Sequence, residues 1–279
     1  MPLIGAIAGD ILGSLYERHN FRGTPNDLVF FPKDAGPTDD SVLTCAVAQA
    51  LLDATDCSGH IDTEHFGGIV GSRLREFTRR HSNVKGGYGS KFLTWALMDD
   101  WPAPRSLGNG SAMRVSACAW GAKTEEEALL LARLSAQPTH NHPLGILGAE
   151  ATVYAILRFR EGTAGRERLR SEWPARFGAL GALPTSNTFA LEKAPLHFHA
   201  TCPETVPYTV ALALDSQSWE ETVRRAVALG GDCDTSAAIS GSIAAGSSAV
   251  PPDIREATLQ RLPSDLRDVV ETFADTFPQ

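Results

Sequence analysis

The chain has no Cys-x-x-Cys pair, no run of apolar residues long enough to span a bilayer, no low-complexity tract and no internal repeat. Its five cysteines, at positions 45, 57, 118, 202 and 233, are an odd number, and three of them lie in apolar runs where a small hydrophobe would serve. That usage fits a reducing cytoplasm better than a disulfide framework. A basic n-region is missing ahead of the apolar stretch at positions 3–9, which meets Asp10 too early for a signal peptide, so the expectation is an intact intracellular chain. Positive charge is also short. The formal net charge of -8 argues against nucleic acid or an anionic membrane as the principal partner.

Strand signals are scarce. Only 27–31 and 196–199 read as short strands, and neither has neighbours that would build a sheet. Apolar residues instead recur at three- and four-residue spacing, predicting helices over 3–17, 39–54, 63–81, 89–99, 110–121, 124–136, 143–161, 204–215, 218–229, 234–246 and 264–276. With 279 residues, an even spread of apolar positions and nothing resembling a linker, the reading is all-α, one domain over 1–279. The longest irregular stretch, 178–186, is the expected surface loop.

Two acidic clusters stand out against this background. Thr38-Asp39-Asp40 and Asp232-Cys233-Asp234-Thr235 each open a run of small and apolar residues. Acids in a first helical turn are favoured by the macrodipole, and Thr or Asp there is also an ordinary helix cap. Each cluster holds more acids than a cap needs, however, and four carboxylates with two hydroxyls form a hard-oxygen set suited to magnesium, manganese or calcium. Such a site requires the two clusters to converge at one end of a helical bundle. The small residues Ala237, Gly241 and Ala245 would let another helix approach closely, which makes the second cluster's helix central and buried.

Two glycine-rich segments, Gly86-Gly87-Tyr88-Gly89 and Ser106-Leu107-Gly108-Asn109-Gly110-Ser111, offer backbone amides that could cradle a pyrophosphate, though each also suits a plain loop. The pairs His140-Asn-His142 and His197-Phe-His199 admit a rival reading as zinc ligands, without cysteine pairs or an HExxH motif to accompany them.

Taken in order, Gly5-Ala-Ile-Ala-Gly-Asp10-Ile-Leu-Gly-Ser14-Leu-Tyr-Glu17, Thr38-Asp-Asp-Ser41, Gly108-Asn-Gly-Ser-Ala-Met-Arg114, Thr139-His-Asn-His-Pro143 and Gly230-Gly-Asp-Cys-Asp-Thr235 closely resemble the ADP-ribosylglycohydrolase family. The resemblance implies an all-α fold with two divalent cations, Mg2+ or Mn2+, at the base of a cleft for ADP-ribose. It implies Thr38, Asp39, Asp40, Asp232, Asp234 and Thr235 as metal ligands, and Glu17 near the scissile bond as general acid/base or water-positioning group. An exposed helix-end glutamate is the plain alternative for Glu17. Gly87, Tyr88, Gly89, Ser106, Leu107, Gly108, Asn109 and His140 would border the substrate, with Tyr88 against sugar or adenine. Cys233 departs from the family's Asp-Thr-Asp-Thr form, and its side chain should point away from the metals.

The activity so implied is metal-dependent removal of ADP-ribose from an ADP-ribosylated protein, from arginine (an N-glycoside) in preference to serine (an O-glycoside), with ADP-ribose as product. Cleavage at ribose C1 passes through an oxocarbenium-like state, which needs an activated water and an assisted leaving group. The alternatives are a non-catalytic ADP-ribose-binding or structural relative, and a hydrolase of a small ADP-ribose derivative.

Overall fold

The computed structural model describes residues 1–17, 24–185 and 200–278. Each segment in which apolar periodicity predicts a helix contains one, and two further helices join them: α1 (Ile4–Gly13), α2 (Asp39–Ala54), α3 (Thr63–Arg80), α4 (Ser90–Leu97), α5 (Gly110–Met113), α6 (Ser116–Gly121), α7 (Glu125–His140), α8 (Pro143–Arg160), α9 (Gly162–Phe177), α10 (Cys202–Asp215), α11 (Trp219–Ala228), α12 (Cys233–Ala244), α13 (Pro252–Arg261) and α14 (Ser264–Thr276). Among the described residues pairing of extended backbone is limited to isolated bridges, such as Thr38 with Lys85 and Gly108 with Thr201. The fold is all-α.

Several expectations shift. The 27–31 segment is a 3-10 turn at Pro25–Asp27 followed by irregular chain, and 196–199 lies outside the described residues. The first helix stops at Gly13 rather than residue 17, where the Ser14 hydroxyl turns back onto the Ile11 carbonyl. The expected helix 110–121 is two short ones, parted at Arg114 and Val115. Within 178–185, the start of the expected surface loop, Leu180 is buried and the Trp173 indole donates to the Gly181 carbonyl at 2.8 Å. Helices α9 and α13 were not anticipated. Each buries only a narrow stripe, Leu169, Trp173 and Phe177 in the one and Ile254 and Thr258 in the other, so charge dominates the pattern.

The centre is the antiparallel pair α1 and α12. A Cβ added at Gly5 would stand 2.5 Å from the Ala245 Cβ, one at Gly9 would stand 2.2 Å from the Ala237 carbonyl oxygen, and one at Gly13 would stand 2.4 Å from the Asp234 Cα. Three glycines one turn apart thus meet the small-residue stripe of α12, and the backbones nearly touch. The Trp219 indole donates to the Gly241 carbonyl at 3.0 Å and closes one flank of the crossing. All of α1 and all of α12 but Ser236 are buried, which brings Asp10 into the interior, and the start of α12 lies against the end of α1. Helix α2 packs on the same centre and carries its first turn to the same end.

Candidate metal centre and cleft

Thr38 caps α2, its hydroxyl accepting from the Asp40 amide at 3.2 Å. That hydroxyl in turn donates to Asp10 Oδ1 at 2.7 Å. Asp10 Oδ2 accepts from the Thr38 amide at 3.0 Å, the Ser41 amide at 3.0 Å and the Ser41 hydroxyl. One buried carboxylate therefore gathers the entire start of α2. Asp10 belongs to the site although the sequence reading did not assign it, and its signal was a lone acid within an apolar helix, which burial requires to be paired.

At the other end of the site, Gly230 and Gly231 both take left-handed backbone, with φ of 75° and 66°, and swing the chain into α12. Asp232 precedes that helix without capping it through its side chain, so the capping reading describes the first cluster but not the second. The two clusters meet directly: the Thr235 hydroxyl donates to Asp40 Oδ2 at 3.1 Å. The Cys233 thiol faces the Gly13 carbonyl on α1 at 3.6 Å, and burial beside Asp234 and Asp232 holds its pKa well above the usual range.

Two carboxylate triads result, Asp10 with Asp40 and Asp234, and Glu17 with Asp232 and Asp234; the ligand atoms within each lie within 4.8 Å of one another. Asp234 is common to both. Burial, followed by the mutual repulsion of these acids, raises the pKa of Asp40 and Asp234 far above the carboxylate range, and Asp39 likewise. Burial also raises Asp10, against the pull of its hydrogen bonds to Ser41 and Thr38. The Asp40 Oδ1 atom is buried with no hydrogen-bond partner. An all-oxygen donor set, an orphaned carboxylate oxygen and clustered negative charge fit a hard divalent cation. Among the described residues, no cluster of this kind includes histidine or cysteine.

All the triad acids except Asp10 line a cleft of about 380 Å³. Glu17, Asp39, Asp40, Asp232, Asp234 and Thr235 line it, together with Gly86, Gly87, Gly89 and Phe92 and with Ser106, Gly108, Asn109 and His140. Thr38 and Leu107 stay behind that surface, Thr38 bound to Asp10 and the Leu107 carbonyl accepting from the Cys202 amide at 2.9 Å. Tyr88 departs from its expected place: its hydroxyl donates to the His81 carbonyl at 3.0 Å and its ring stacks on Phe92, which is the aromatic that reaches the cleft. Tyrosine follows its hydroxyl to a buried acceptor, whereas phenylalanine has none to seek.

The expected anion cradle at 106–111 is also altered. The Gly108 amide is taken by the Ser106 hydroxyl at 2.9 Å and the Asn109 amide by the Ala200 carbonyl at 3.0 Å, and the helix that follows is a single turn. Asn109 instead serves the acidic cluster, its side-chain amide donating to Asp232 Oδ2 at 2.7 Å and to the Thr205 hydroxyl at 3.2 Å. The zinc reading of His140 and His142 gains no support: neither histidine joins a metal-type cluster among the described residues, and His142 Nδ1 accepts from the Leu144 amide at 3.1 Å as the cap of α8. His197 and His199 lie outside the described residues.

The ADP-ribosylglycohydrolase family model matches residues 2–279. Over 193 residues the chain is 28% identical to the mouse ADP-ribosylhydrolase ARH3 and to its human counterpart, an alignment covering 59% of this chain and 50% of each relative. The chicken ADP-ribosylhydrolase ARH3 is 27% identical over 197 residues, covering 59% of this chain and 51% of that one. The match thus spans about half the length of these curated relatives. A solved structure described as an ADP-ribosylglycohydrolase-related protein complex superposes with a TM-score of 0.71 at 22% identity, covering 99% of this chain and 95% of that one, and shares the fold.

Proposed function

The chain belongs to the ADP-ribosylglycohydrolase family, and from that premise we propose that it is a cation-dependent hydrolase releasing ADP-ribose from a modified protein side chain. The observation that carries the reading is the pair of carboxylate triads sharing Asp234 at the cleft. Asp10, Asp40, Asp232 and Asp234 would hold two divalent cations, Mg2+ or Mn2+, with Asp39, Thr38 and Thr235 completing the oxygen set. Cations bound there would supply Lewis acidity that lowers the pKa of water and polarises substrate oxygens.

The chain's own groups account for the rest. Glu17 stands among the acids that line the cleft, where its carboxylate can move a proton at the attacking water or at the leaving atom. Asn109 fixes the rotamer of Asp232 by the hydrogen bond to Oδ2. Phe92 offers an apolar face to sugar or base, and Gly86 and Gly87, with φ of 77° and 84°, allow backbone to approach the ligand with no side chain between. Residues 1–279 act as one domain in this reading, supported by the α1–α12 pair that ties residues near both ends into one core. No described helix is long and apolar enough to cross a membrane.

The test is release of ADP-ribose from arginine-modified and serine-modified proteins, with magnesium, with manganese and after chelation, with Asp234→Asn as control. Chelator-sensitive release from one substrate supports the reading and assigns the linkage, arginine being tried first. Silence on both, with ADP-ribose still bound, would replace it with a binding role or a smaller substrate.

A further inference from the structure

Arg114 is wholly buried, and its Nε and Nη1 have no hydrogen-bond partner among the described residues. Its remaining nitrogen, Nη2, donates to the Ser135 carbonyl at 3.2 Å and to the Thr139 hydroxyl at 2.8 Å, both on α7. The same hydroxyl lies 2.7 Å from His140 Nδ1. The polarity of this chain is fixed by chemistry. A guanidinium can only donate, so Thr139 Oγ1 accepts from Arg114. The hydroxyl proton then needs an acceptor; Thr139 is fully buried and, among the described residues, its only other side-chain partner is His140 Nδ1. Were Nδ1 protonated, the Thr139 proton would be stranded, at a cost of about 1–3 kcal/mol. Nδ1 is therefore the acceptor, and the ring proton belongs on Nε2.

The other side of the ring meets the cleft. His140 lines it beside Gly108 and Gly110, and a Cβ added at Gly110 would stand 3.2 Å from both Nε2 and Cε1. Burial, then the neighbouring guanidinium, holds the imidazole pKa well below the ordinary histidine value, in keeping with a neutral ring.

We infer that Arg114 and Thr139 are positioning residues that lock His140 as the neutral imidazole protonated on Nε2, so that it presents a hydrogen-bond donor to an oxygen atom of the ligand and is no base. That the oxygen is a ribose or phosphate oxygen of ADP-ribose rests on the hydrolase reading. The tautomer does not.

The experiment is long-range proton–nitrogen correlation NMR of the full chain labelled with nitrogen-15 histidine, with His140→Gln assigning the signal, alongside calorimetric titration with ADP-ribose. The wild type should show a neutral Nε2–H ring. Thr139→Val, which keeps the shape and removes the hydroxyl, should lose that pure tautomer and bind ADP-ribose about tenfold more weakly, the scale of one hydrogen bond. Thr139→Ser should restore both. An Nδ1–H or doubly protonated ring in the wild type would overturn the inference, as would a Thr139→Val spectrum and affinity matching the wild type. A wild-type Nε2–H ring in a protein that fails to bind ADP-ribose would support the lock and overturn the ligand assignment alone.

Discussion

The Thr38 hydroxyl donates to Asp10 Oδ1 across 2.7 Å, so the first helix of the chain holds the cap of the helix that carries the first acidic cluster. The carboxylate of Asp10 faces four donors, two amides and two hydroxyls. It is a structural keystone as well as a member of a buried carboxylate triad.

Asp10→Asn is expected to fail in both roles. An amide offers one acceptor oxygen and turns its NH2 against a donor, leaving buried polar groups unmatched at a cost of about 2–3 kcal/mol. Urea denaturation should show that loss, and calorimetric titration with magnesium or manganese should show weakened binding. Retained stability and cation affinity would remove Asp10 from the site.

The pH dependence of stability should invert when cations are added. Asp10, Asp39, Asp40 and Asp234 have folded-state pKa values raised above those of the unfolded chain. The folded form then holds protons that the unfolded form releases, so metal-free stability is greatest below the ordinary carboxylate pKa of about 4 and falls as pH rises from there toward the raised values. A divalent cation bound by these acids would neutralise the repulsion, and its stabilising effect should grow with pH. Thermal melts with chelator and with magnesium or manganese across mildly acid to neutral pH measure both slopes. For the same reason Asp234→Asn should raise the melting temperature of the metal-free protein while abolishing chelator-sensitive hydrolysis, the trade expected of a strained functional site.

Glu17→Gln separates chemistry from binding. The substitution keeps the shape and one acceptor oxygen but cannot exchange a proton, so turnover should fall by about 100-fold or more while ADP-ribose affinity changes little. Equal losses in steady-state kinetics and in calorimetry would move Glu17 to a binding role.

Gly9→Ala tests the central crossing. The added methyl gains roughly 1 kcal/mol of helix propensity. Against this, it would stand 2.2 Å from the Ala237 carbonyl oxygen, backbone that cannot step aside alone. Overpacking of that kind costs about 3 kcal/mol, so the net effect is destabilising. Gly36→Ala, with nothing within 4 Å of its added carbon, is the matched control for the denaturation curves.

The parts of this molecule legible in its sequence are those written in local pattern. The helical periodicity gave the fold class, and the excess of acids at Thr38–Asp40 and Asp232–Thr235 pointed to convergence, seen in the contact between Thr235 and Asp40. The small stripe at Ala237, Gly241 and Ala245 announced a close helix neighbour, and that neighbour is α1. Asp10 escaped notice because its partners Thr38 and Ser41 are 28 and 31 residues away, and no local rule joins them. Tyr88 and Phe92 occupy one short stretch, and only the three-dimensional path of the loop decides which ring meets the cleft. The amides of Gly108 and Asn109 looked available in a glycine-rich loop, but their partners are a side-chain hydroxyl and the backbone of Ala200.

The pairing of α1 with α12 also sets a timetable. A growing chain that emerges from the ribosome presents Gly5, Gly9 and Gly13 long before Ala237 and Ala245 exist, and contacts of such sequence separation form late because their loop closure comes first. The acids of both triads are therefore assembled only when nearly the whole chain has been made. A cation held by those acids would select the finished fold and could not nucleate its first half, and an early-truncated chain carries its glycine-rich first helix without the surface it was shaped to meet.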